Sequence, residues 1–435
     1  MMPAMPDHAR TTPGERTVPG AKSFLGPATL ALLTLLAQVV LRRELAPGEF
    51  GTLNALLGVL LVVLVPFAAL SAILRRELAG AKHATWHGPL LNRAALAWGL
   101  ACAVLLFVAL PVLQLPRSSL QFFTLPAVAA GLLAICGRPA TPARWCLIIG
   151  IAAAALRLVV SAWAAADWPT AESGLGAFLL AALVAGLPAL RDQPEPGPLR
   201  GAWKILRPAL VPTLAALGIA LALALFTNAD RIAAQLNLGT IDPNHVTGTD
   251  SSAEPFAFVD YRLFDDYEAA GLVARGLLWS LLPLLGLFYA QRVRLTSTTR
   301  ASLRWFWIYL GALLLGALFL VVGAPVANAL FNPYFFQHAD APRDVMIGNL
   351  TALLPAFAGA FVLLGLVQAV AVFALASKRH VECFVLAACS VAYTAVLFET
   401  GHHALLMTAI MAGGALMSLA LVLLVGVVRY ARSHP

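Results

Sequence analysis

The chain reads as an all-α integral membrane protein, with about twelve transmembrane helices arranged as two pseudo-symmetric six-helix bundles. Three observations lead there. Of the 435 residues, 60% are hydrophobic and 11% charged, far from the balance of a water-soluble globular chain. Runs of roughly 20 apolar residues, the length that crosses a bilayer as a helix, recur from Ser23 to Val428. Finally, one hairpin opening occurs twice. Glu49-Phe50-Gly51 starts an apolar run that reaches Pro66, and Asp266-Tyr267-Glu268 starts one that reaches Pro283, 217 positions later in each case. An acidic–aromatic start and an equally placed proline, repeated at half the chain length, fit a duplicated bundle.

Taken in order, residues 1–22 are rich in Pro, Thr and Gly and read as a disordered cytoplasmic tail. The apolar run after them is too long for a signal-peptide core and lacks a small-residue cleavage site. The N-terminal bundle covers 23–190, with spans near 23–41, 51–74, 90–113, 119–136, 145–166 and 174–190. Residues 191–206, with three prolines and charges of both signs, read as a cytoplasmic linker. The C-terminal bundle covers 207–428, with spans near 207–228, 268–290, 305–330, 346–376, 381–399 and 404–428; residues 429–435 form a second cytoplasmic tail. Pro66, Pro126, Pro212, Pro283 and Pro355 fall inside spans, where membrane helices persist because neighbours satisfy the freed backbone groups. The stretch 237–266, rich in Asp, Pro, Thr, Ser and Gly, reads as the one long extracytoplasmic loop.

Charge placement supports the count. An even number of spans puts both termini on one side, and placing that side in the cytoplasm gives it 21 of the 29 Lys and Arg, among them Arg75, Arg76, Lys82 and Arg93. The other face keeps Arg42, Arg43, Arg117, Arg231, Arg262 and Arg343. This is the positive-inside pattern, so the net charge of +8 reports topology and gives no reason to expect nucleic-acid binding. The five cysteines lie in or beside spans without paired spacing and read as packing residues. His83 and His87, and His402 and His403, lack Cys or carboxylate company at metal-ligand spacing. No phosphate loop, nucleophile elbow or HExxH motif occurs. The sequence thus offers no metal site, cofactor or catalytic residue.

Ionisable groups inside a membrane are costly and are the default functional candidates. Arg157 lies 12 residues past Trp145, about mid-bilayer at ~1.5 Å per residue. Arg275 is the only charged residue between Glu268 and Arg292, and its counterpart in the first copy of the hairpin is Gly58. Asp230 falls near the outer end of the seventh span, beside Arg231. Each deep arginine can serve a ligand or neutralise a nearby acid, Arg275 with Asp230 or Glu268 for example. Asp230 can hold a coupling proton or sodium ion, or pair with Arg231 or Arg275. Arg42 and Arg43 can gate the outer face or lie at the headgroup level.

The segment Leu41–Leu70 resembles the first hairpin of the polysaccharide transporters. These are the O-antigen flippase branch of the multidrug/oligosaccharidyl-lipid/polysaccharide (MOP) exporter superfamily. Arg42, Arg43, Leu45, Pro47, Phe50 and Gly51 match the family's pattern, while Ala46 replaces its usual first glycine. In the second half, FTNADRIAAQLNLG and the run from Tyr267-Glu268-Ala269-Ala270 to Arg275 and Pro283 are similar to the family's seventh and eighth helices. The loop between them is longer than is usual there. The resemblance implies two six-helix bundles around a central cavity, in the bacterial cytoplasmic (inner) membrane with both termini cytoplasmic. It implies flipping of a lipid-linked oligosaccharide, on an undecaprenyl pyrophosphate-type carrier, for polysaccharide biosynthesis. On that reading Arg275, Arg157, Arg42 and Arg43 bind substrate, since guanidinium makes bidentate contacts to phosphate oxygens, and Asp230 is the ion-coupling candidate. Membrane lipids, a polysaccharide polymerase and glycosyltransferases are the expected partners. The competing readings are a membrane-embedded glycosyltransferase or polysaccharide ligase, and a multidrug exporter of the same superfamily.

Overall fold

The computed structural model describes residues 22–46, 48–62, 143–191, 202–238, 256–294, 299–331, 350–401 and 403–433. The tail before Lys22, Pro47, Pro66, the basic group Arg75 to Arg93, the spans near 90–113 and 119–136, and the middle of the linker lie outside them. The described residues are helical almost throughout. In chain order the helices are α1 (Lys22–Glu44), α2 (Glu49–Val62), α3 (Ala143–Asp167), α4 (Ala171–Arg191), α5 (Ala202–Leu238) and α6 (Phe256–Arg294). They continue with α7 (Thr299–Val322), α8 (Ala324–Phe331), α9 (Leu350–Ala376), α10 (His380–Thr400) and α11 (Ala404–Ser433). Six are long and apolar enough to cross a membrane, and these lie in α3, α5, α7, α9, α10 and α11. Pro212, Pro283 and Pro355 sit inside continuous helices, as expected where neighbouring helices take up the freed backbone groups.

The outward faces are apolar. On α7, Leu315, Leu318, Phe319 and Val322 are all exposed, as are Leu416, Leu423 and Leu424 on α11. In water such faces would drive association; against lipid tails they are the matching surface. All-α membrane architecture is therefore what the chain adopts.

Three boundaries differ from the sequence reading, and each has a physical reason. Hydropathy ends the seventh span at 228, because it collapses over Thr227-Asn228-Ala229-Asp230-Arg231. The helix α5 instead continues to Leu238, since α6 supplies opposite charges to those side chains. Arg231, which the charge pattern assigns to the outer face, is only 1% exposed. The predicted loop 237–266 is helical from Phe256 onward, and residues 239–255 lie outside the described ones. The linker and C-terminal tail are also partly helical, because α4 reaches Arg191, α5 starts at Ala202 and α11 runs to Ser433.

In the N-terminal half, α3 packs on both α1 and α4. In the C-terminal half, α5 packs on α10, α6 on α7 and α9, and α11 on α9 and α10. One buried apolar cluster joins the halves, from Leu41, Phe50 and Leu53 to Phe226, Phe264, Tyr267, Phe357 and Phe361. The repeat is visible in it, because Phe50 and its counterpart Tyr267 are both wholly buried. Close approach of α2 to the second half depends on two glycines. A Cβ on Gly51 would stand 2.1 Å from the Phe264 ring, and one on Gly58 3.2 Å from the Arg231 side chain. Gly51→Ala is expected to destabilise by about 1–3 kcal/mol through overpacking. Gly276→Ala, with nothing within 4 Å of its Cβ, is expected to be neutral or stabilising, a helical glycine costing about 0.5–1 kcal/mol relative to alanine. Thermal unfolding of the two variants in detergent checks the contrast.

Candidate functional site

Two groups of charge are buried among the described helices. The deeper one is built on α5 and α6. Thr227, Asn228, Asp230 and Arg231 occupy consecutive turns of α5, and Tyr267, Glu268 and Arg275 lie on α6; all are buried. The Arg275 guanidinium works in three directions. It donates to Asp230, its Nε donates to the Thr227 carbonyl at 2.7 Å, and its Nη1 lies 3.9 Å from Glu268. Arg231 Nε lies 3.7 Å from the same Glu268 oxygen. Glu268 is thus shared by two arginines. The Tyr267 hydroxyl lies 3.5 Å from Asp230, and the Phe361 ring of α9 stands 5.9 Å from the Arg275 guanidinium.

Arg157 lies on α3, in the N-terminal half. It is 7% exposed and has no acidic partner among the described residues. The Phe178 ring of α4 lies 5.0 Å from its guanidinium, a cation–π contact. Its Nε and Nη2 have no hydrogen-bond partner among the described residues, and neither has Oγ of Ser161, one turn further along α3 and therefore on the same face. In the deep group two arginines, Arg231 and Arg275, face two carboxylates, Asp230 and Glu268.

The second group closes one end of the interface. Arg42 of α1 lies 3.3 Å from both Asp265 and Asp266 of α6. Asp265 also accepts backbone hydrogen bonds from Gly48, at 3.0 Å, and Gly51, at 2.9 Å. Gly48 has φ 83°, a left-handed conformation that glycine adopts without strain, and this turns its N–H toward the carboxylate. Burial pushes the Asp265 carboxyl above its ordinary range, against the pull of Arg42 and the two N–H groups. Glu49, the first-half counterpart of Asp266, instead accepts from the Ala171 N–H at 2.7 Å, at the N-terminus of α4, where a carboxylate is favoured. Arg43 donates to the Ala329 and Leu330 carbonyls at 3.1 and 2.8 Å, near the C-terminus of α8, where a cation is favoured.

Of the residues singled out in the sequence, Arg275 and Asp230 therefore meet in the deep group, while Arg157 is buried on α3 against Phe178. Arg42 and Arg43 do not join them. Arg42 is 5% exposed, buried where α1 meets α6. Arg275 takes the acid-paired alternative with both Asp230 and Glu268. Sequence reasoning named Arg231 as a partner of Asp230, whereas it pairs with Glu268, and it missed Asp265 and Ser161. The repeat held a signal for Asp265, because position 48 plus the 217-residue offset is position 265.

No protein-family model matches the chain. No curated protein matches it either. Solved structures do. One is an inward-facing multidrug resistance MATE family transporter of the MOP superfamily, with TM-score 0.57, 15% identity, and coverage of 94% of this chain and 98% of that one. Another is a variant of the Vibrio cholerae MATE transporter VcmN, with TM-score 0.50, 12% identity, and coverage of 94% and 95%. At such identities the likeness concerns architecture, and the chain has the fold of the MATE transporters of the MOP superfamily.

Proposed function

We propose that this protein is an alternating-access transporter that flips a lipid-linked oligosaccharide across the bacterial cytoplasmic membrane, with the pyrophosphate of the carrier received by buried arginine. The observation that carries this reading is the buried guanidinium of Arg157, which has no acidic partner among the described residues. Arg275 and Arg231 each pair with a carboxylate, whereas Arg157 has none among the described residues, and its Nε and Nη2 and the nearby Ser161 hydroxyl make no hydrogen bond there. A buried cation without a counter-ion is costly, and an anionic ligand supplies the missing charge through bidentate hydrogen bonds. The contacts between halves made by Arg42, Asp265 and Asp266 suit a protein whose two bundles rock against each other.

A cationic cargo is the second reading, favoured by the carboxylate Asp230, which would be freed if Arg275 moved aside. Reconstitution into proteoliposomes separates the two. Accelerated leaflet exchange of a fluorescent pyrophosphate-linked oligosaccharide lipid, with no covalent change to it, is the expected result. Accumulation of a cationic dye without lipid exchange would assign the protein to drug export, and a new glycosidic product would make it an enzyme.

A further inference from the structure

The strongest unassigned feature is the closure at Asp265. Gly48 and Asp265 stand one repeat apart in the chain, and they touch. Two equivalent residues of a duplicated chain come into contact only where the pseudo-two-fold axis passes between them. The axis therefore emerges at this end of the interface, and whatever joins the halves here lies at their centre. The second copy carries a carboxylate where the first has a glycine. As a result Asp265 accepts from the first half's turn, while Gly48 has no side chain with which to return the contact.

We infer that Arg42, Asp265 and Asp266 form a latch that holds this end of the two bundles shut, and that its release opens a path to the buried groups behind it. The inference rests on the transporter reading for its purpose, though not for its test. Both carboxylates are buried and come from the C-terminal half, while Arg42 and the N–H groups of Gly48 and Gly51 come from the N-terminal half. One guanidinium bridging two acids at 3.3 Å holds the halves together, and opening exposes all three charges to water, which solvates them. Such a contact is suited to being made and broken. The Arg429–Glu382 pair, at 2.9 Å, joins α10 to α11 within one half and so cannot act in this way.

The test is accessibility. With the five native cysteines replaced by alanine, Asn54→Cys places a reporter on α2, one turn deeper than Phe50 and wholly buried. A membrane-impermeant maleimide is applied to right-side-out and inverted vesicles. Slow labelling is expected in the parent, and labelling about tenfold faster or more from one side in Arg42→Ala, as expected when loss of a buried pair shifts a two-state balance. Asp265→Asn with Asp266→Asn should act alike, the exchanged pair Arg42→Asp with Asp266→Arg should slow labelling again, and Arg429→Ala should leave it unchanged. Equal labelling of Arg42→Ala and its parent at equal folded yield, or fast labelling of the parent, would overturn the latch. No substrate enters this assay, so failure of the proposed cargo would leave its outcome intact.

Discussion

Arg275→Ala is expected to be among the most destructive single substitutions in the chain. It removes the partner of Asp230 and one of the two partners of Glu268, and it strips the Thr227 carbonyl of a donor. Breaking a buried pair from one side costs about 3–5 kcal/mol because the remaining charge stays uncompensated. The expected result is a lower unfolding temperature in detergent and a reduced folded yield. Adding Asp230→Asn to Arg275→Ala should recover part of the loss, since it removes the stranded charge. Arg275→Lys should fall between, because an ammonium on a flexible stem cannot keep the three directions of the guanidinium. An unfolding temperature for Arg275→Ala equal to the parent's would show that the pairing contributes nothing to stability.

Arg157→Leu is expected to do the opposite. Arg157 has no acid to match it among the described residues, so its removal should leave stability unchanged or raise it, as often happens when a buried charge gives way to an apolar side chain. Binding and flipping of a pyrophosphate-linked lipid should fall, because one charge-assisted hydrogen bond contributes about 1.5–3 kcal/mol, or roughly ten- to hundredfold in affinity. Stability and function therefore move in opposite directions, a pattern common where a site is strained for its task. Thermal unfolding and the proteoliposome exchange assay, run on the same preparation, read both. Parental exchange by Arg157→Leu, or destabilisation like that of Arg275→Ala, would remove Arg157 from the site.

Much of the fold was legible because its causes are local. Apolar runs, the positive-inside bias and the repeated opening at Phe50 and Tyr267 are properties of neighbouring residues, and the two aromatics are buried alike. The errors fell where distant partners overrule local preference. Hydropathy alone ends the seventh span before Asp230, yet α5 runs on because Arg275 and Glu268 of α6 match its charges. Likewise nothing near Arg42 in the sequence announces Asp265 and Asp266, which lie more than two hundred residues away.

Helical class, duplication and the short roll of charges committed to the interior all follow from the order of residues alone. Which of those charges cancel is settled by packing. Electrostatic matching depends on distances of a few ångströms across packed helices, and sequence separation does not record them. Arg275 proved to be matched on two sides. Arg157, drawn from the same roll, is left with its charge unanswered among the described residues.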